Sequence, residues 1–174
     1  WNTSAQIVQR SIVQGTVQNL ILPGDNLYVP DKSYSEICSN WSKLGFKFSV
    51  VAIGNHNKGY DNEMKYFKMP GEYFSKHDST VRFIVLNSDN EKTADAQGKF
   101  LDQELRAAQE RFIFVVYHHP SFTLSGHGWQ EKVKFQTAIR PLLVKYQNKI
   151  TGIINGHDHV DELVELNDRL PMII

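Results

Sequence analysis

The sequence predicts an α/β fold built in layers around a largely parallel sheet. Two observations carry this. Short apolar, β-branched runs of strand length alternate with segments whose apolar residues recur at helical spacing, and most of the runs stop abruptly at glycine or histidine, where strands enter loops. Asn2, Thr3 and Ser4 offer caps for a first helix in which Ile7, Val8, Ile12 and Val13 are in register, running to about Asn19. Leu20 to Leu22 is too short for a helix and stops at Pro23-Gly24, a turn signal that exposes Asp25. Tyr34 to Leu44 reads as a second helix, and Phe48 to Ile53 as a buried strand closed by Gly54. Arg82 to Leu86 is a further strand, and Gly98 to Glu110 carries Leu101, Leu105 and Ala108 on one helical face. Phe112 to Tyr117 is the strongest strand in the chain. Lys132 to Tyr146 is helical by period, with Pro141 expected to remove one backbone bond and bend it. Ile150 to Ile154 is the last buried strand, ending at Gly156, and Leu163 to Leu166 and Met172 to Ile174 read as short strands beyond it. No repeat, low-complexity tract or linker divides residues 1–174, which are expected to form a single domain.

Composition narrows the function. The 174 residues carry 19 basic and 19 acidic side chains, so no basic footprint recommends nucleic acid or an anionic membrane surface as the main partner. The longest apolar run, Phe112 to Tyr117, is far below the ~20 residues of a membrane-spanning helix. Cys38 stands alone and cannot form an internal disulfide.

Chemistry collects at the strand ends, where a parallel sheet holds loops rigid. The endings are Gly24-Asp25-Asn26-Leu27-Tyr28, Gly54-Asn55-His56-Asn57, His118-His119-Pro120 and Gly156-His157-Asp158-His159. All of the seven histidines except His77 fall within these endings or, like His127, shortly after one. Taken singly, a Gly-Asp after a strand is more often a turn, and His118 with His119 could be one core and one exposed residue. His157 and His159 are more specific, because alternate residues of an extended segment point the same way and can serve adjacent metals. His77, between Lys76 and Asp78, reads as a solvated surface residue. Four such endings converging on one cleft argue for a site.

In order, these strings resemble the signatures of the calcineurin-like metallophosphoesterases. Within that superfamily the chain is most similar to the purple, or tartrate-resistant, acid phosphatases. Tyr28, three residues after Asp25, Val115-Val116-Tyr117-His118, His127 nine residues later and Arg140-Pro141-Leu142-Leu143 carry that finer likeness. The resemblance implies a layered sandwich of two mixed sheets flanked by helices, and a dinuclear metal site. It implies that Asp25 bridges both metals, that Tyr28 and His159 bind the first, typically ferric iron, and that Asn55, His118 and His157 bind the second, iron, zinc or manganese. Hard carboxylate and phenolate oxygens suit a trivalent ion, and imidazole suits a divalent transition metal. His56 and His127 would face the substrate phosphate, with His127 favoured as the acid that protonates the leaving group.

The chain departs from the family pattern twice. The family's further metal-binding aspartate, from a strand ahead of the first helix, has no counterpart, since no acidic residue precedes Asp25. The first strand is therefore expected to be missing, with the domain trimmed at both ends. Asn57 stands where the family usually has Asp or Glu, which weakens the charge support for a protonated His56. The leading expectation is hydrolysis of a small phosphomonoester by metal-bound hydroxide. A phosphodiesterase or nucleotide hydrolase of the same superfamily comes second, and a non-catalytic metal-binding or interaction protein third. A secreted or periplasmic location follows from the resemblance, while oligomeric state is open.

Overall fold

The computed structural model describes residues 19–26, 48–56, 60–125, 127, 131–167 and 169–174. The two helices expected before Asn19 and over Tyr34 to Leu44, together with Tyr28 and Asn57, lie outside them.

Two sheets are stacked. Strands β1 (Asn19–Leu22) and β2 (Phe48–Val51) pair in parallel, with Ile21 opposite Val50. Among the described residues the larger sheet has six strands: β3 (Phe74–His77), β4 (Val81–Val85), β5 (Phe112–Val116), β6 (Gly152–Ile154), β7 (Leu163–Leu166) and β8 (Leu170–Ile173). Their spatial order is β3-β4-β5-β6-β8-β7. The β4-β5, β5-β6 and β6-β8 pairs are parallel, while β3 and β7 run antiparallel at the two edges. The larger sheet is therefore mixed, with the expected parallel character confined to its centre.

Alternation along each strand builds the layers. On β5 and the residue after it, Ile113, Val115 and Tyr117 face one way and join Leu101, Leu105, Phe135, Ile139 and Leu143 in the larger core. The last five come from helices α2 (Ala94–Ala107) and α3 (Val133–Lys145), which cover that face. Val116 faces the other way and, with Phe83 and Val85 of β4, packs on Val50 and Ala52 beneath the small sheet. Each fully buried side chain of this size contributes roughly 1.5–3 kcal/mol, so the helical layer is the main source of cohesion. Gly98 brings the two helices close, since a Cβ there would meet the Ala138 carbonyl oxygen at 3.4 Å.

Two elements go beyond the sequence reading. Helix α1 (Tyr60–Phe67) spans only eight residues, and β3 pairs Phe74 with Val85 along a half-exposed edge. Short, polar edge elements lack the periodicity that reveals buried ones. Pro141 lies inside α3, which continues through it to Lys145. The strand expected from Ile150 begins at Gly152 because Thr151 is used differently: its hydroxyl accepts the Ile113 N–H at 2.9 Å and its own N–H reaches the Ile113 carbonyl. No helix among the described residues is long and apolar enough to cross a membrane.

Candidate metal centre

The carboxyl ends of β1, β2, β5 and β6 deliver their polar residues to one place. Gly24 has φ +108°, and a Cβ on it would lie 2.4 Å from His118 Nδ1, so only glycine allows the end of β1 to lie against the end of β5. Gly54 does the same for β2, where a Cβ would stand 2.1 Å from Asp25 Oδ1. Asp25, His157 and His159 hold φ of 49°, 78° and 53°, a left-handed conformation that side chains rarely adopt. Such strain is retained where surrounding structure enforces it, typically at functional sites.

The side chains meet at hydrogen-bond distance. His118, buried at the end of β5, donates Nδ1–H to the Pro23 carbonyl at 3.0 Å, which turns Nε2 toward Asn55 Oδ1 at 3.0 Å and Asp25 Oδ2 at 3.2 Å. His157 points Nδ1 at the same Asn55 Oδ1, 3.1 Å away. Asp25 also accepts the His56 backbone N–H at 2.9 Å. Burial opposes ionisation of Asp25, but its contacts with His118 and the His56 N–H outweigh it and hold the carboxyl at about 2. Burial, reinforced by the neighbouring His118, lowers the pKa of His157, and Glu131 opposes this. Electron pairs of a carboxylate, an amide oxygen and two imidazoles thus converge. Positive charge satisfies them, either as protons on the imidazoles or as a metal cation, and this donor set of oxygen and imidazole suits a divalent transition ion. The residues present fit a metal.

Asp25, His118, His157 and His159 line an open cavity of about 530 Å³. His56 and His127 stand at exposed positions, their side chains 51% and 56% accessible, and the His127 ring lies 4.6 Å from that of His157. The structure therefore brings together every expected site residue except Tyr28, which falls outside the described residues.

Other participants escaped the sequence reading. Glu131 accepts a hydrogen bond from His157 Nε2 at 2.9 Å and lies 3.4 Å from His127 Nδ1. His119 is buried, with its ring 4.4 Å from that of His157, and its Nε2 has no hydrogen-bond partner among the described residues. Burial first, and then His118 and His157, push its pKa down to about 2, so it stays neutral. Ser88, just beyond β4, accepts the His119 N–H at 3.0 Å and meets Nδ1 at 2.8 Å. Strand β4, whose ending carries no histidine, therefore supports the site with a hydroxyl. His77 stays on the surface, 52% accessible, beside Glu110.

Known proteins resemble this chain in sequence and in fold. The sequence profile of the calcineurin-like phosphoesterases matches residues 1–161. The chain is 25% identical to the human tartrate-resistant acid phosphatase type 5 over 91% of its own length, and spans 62% of that protein. The fold is similar to GAP50, described as the anchor in the inner membrane complex of Plasmodium, with TM-score 0.74, 18% identity and coverage of 97% of this chain and 64% of that one. It is also similar to a dimetal phosphatase from Danio rerio, with TM-score 0.69, 13% identity and coverage of 98% and 76%.

Proposed function

The chain belongs to the calcineurin-like phosphoesterase family, and from that premise we propose that it hydrolyses phosphomonoesters at a dinuclear metal site. The observation that carries this reading is the convergence of Asp25, Asn55, His118 and His157 within 3.0–3.2 Å contacts that leave their electron pairs facing one another.

Asp25 would bridge the two cations. Asn55, His118 and His157 would hold one of them, and His159 with Tyr28 the other, iron in the first position with iron, zinc or manganese in the second. When bound, the pair supplies Lewis acidity, neutralising phosphate charge and making water a nucleophile near neutral pH. The protein's own residues do the rest. The strained backbone at Asp25, His157 and His159 holds the ligands in place before substrate arrives. His56 and His127, exposed at the mouth, hydrogen-bond the phosphate oxygens. As the water oxygen bonds to phosphorus and the ester P–O bond breaks, His127 gives its proton to the departing alkoxide, a role contributing roughly 10²–10⁴ in rate.

The test is turnover of an aryl phosphate by the full-length protein loaded with two metals, between about pH 4 and 7, where a histidine acid can be protonated. Turnover with a visible absorption band from a Tyr28–iron bond supports the reading. Two bound metals without turnover overturns it and leaves a role in anchoring, as named for the similar Plasmodium protein. Activity confined to diesters points to a phosphodiesterase instead.

A further inference from the structure

Glu131 belongs to no strand ending, yet its carboxylate spans two histidines of the site. Oε2 is 2.9 Å from His157 Nε2, and Oε1 is 3.4 Å from His127 Nδ1. His157 thus has one ring nitrogen on a carboxylate and the other, Nδ1, on the amide oxygen of Asn55 at 3.1 Å. A neutral imidazole has one N–H, and an ionised carboxylate is a stronger acceptor than an amide. The proton therefore resides on Nε2, and Nδ1 keeps its lone pair toward Asn55.

Glu131 is itself firmly placed. It directly precedes Lys132, whose ammonium pairs with Asp89 at 2.6 Å, and α3, whose Phe135 is fully buried. His127, by contrast, is exposed on the loop before it. One carboxylate thus links a histidine on the end of a core strand to a histidine on a surface loop.

We propose that Glu131 is a positioning residue that fixes the Nε2–H tautomer of His157, so that Nδ1 is presented as a metal ligand, and ties the His127 loop to that ligand. The proposal builds on the metal-site reading above, since it takes Nδ1 to face a metal. Carboxylate partners of metal-binding histidines typically contribute 10–100-fold in metal affinity.

The experiment compares the wild-type protein with Glu131→Ala and Glu131→Gln, using long-range proton–nitrogen NMR of His157 without metal and Zn²⁺ affinity by chelator competition. The Glu131 side chain is 39% accessible, so both variants are expected to fold. Glu131→Ala should give a mixture of His157 tautomers and a 10–100-fold loss in Zn²⁺ affinity. Glu131→Gln keeps an acceptor oxygen and should retain the tautomer, with an affinity between the other two. An unchanged tautomer in Glu131→Ala overturns the proposal, as does Zn²⁺ binding within twofold of wild type. If the wild-type protein itself binds no Zn²⁺, the metal-site reading fails, while the NMR comparison still decides what Glu131 does to His157.

Discussion

The two ends of the central strands both gather polar and charged side chains, to opposite effect. At the amino end, Arg82 on β4 lies between Glu104 and Glu110, meeting Glu110 through two hydrogen bonds of 2.9 Å, and His77 lies 3.3 Å from the same carboxylate. Acceptors there are answered by N–H donors, and the Arg82 side chain is only 11% accessible. At the carboxyl end, Asp25, Asn55, His118 and His157 turn lone pairs toward one another on a backbone held in left-handed conformations. Complete internal pairing is the mark of a structural cluster. Convergence of acceptors is the mark of a candidate binding site.

Breaking the carboxyl end should have the largest effect. His118→Ala removes the imidazole that contacts both Asp25 and Asn55, and is expected to lower metal content from two ions to one and activity by at least ~10²-fold, on the scale of losing a group that acts in the transition state. Metal analysis alongside phosphatase assay reads this, and unchanged metal content would sink the ligand assignment.

Gly54→Ala tests whether the close approach of β2 to Asp25 matters. With a Cβ at 2.1 Å from the carboxylate oxygen, Asp25 or the strand must shift, and a loss of about 1–3 kcal/mol in stability is expected, with weakened metal binding. Urea denaturation with and without metal separates the two losses. A variant as stable as wild type that binds metal normally contradicts the crowding.

The smallest effect belongs to the amino end. Hydrogen bonds from Arg82 hold Glu110 at about 2, below its ordinary 4.5. The pair's contribution is therefore complete above about pH 4.5 and lost as pH falls toward 2. Glu110→Gln should be less stable than wild type at neutral pH, and the gap should close across that window while metal binding stays unchanged. Urea midpoints measured between pH 2 and 7 check this, and a gap that stays constant with pH would show that the pair does not titrate as the structure requires.

The contrast between the two ends also separates what could be read in advance. Asp25, Asn55, His56, His118, His157 and His159 were visible because each lies within five residues of the end of an apolar strand, and strand ends are a local property of the chain. Glu131 and Ser88 were not, since a glutamate ahead of a helix and a serine after a strand look the same whether or not a histidine stands opposite. Helix α1 and strand β3 were missed for a related reason: being short and half-exposed, they carry no strong periodicity.

By itself, then, the sequence determined the alternation of strands and helices, the residues that close each strand and the family whose motifs they form. Only the tertiary structure decided that β3 and β7 reverse direction at the sheet edges, that His119 is buried and neutral beside the candidate ligands, and which nitrogen of His118 and of His157 faces the site. Strand and helix identity follow from periodicity among neighbouring residues, whereas a ring nitrogen's orientation depends on partners 95 residues away for Pro23 and His118, or 26 for Glu131 and His157, which only the fold brings within reach.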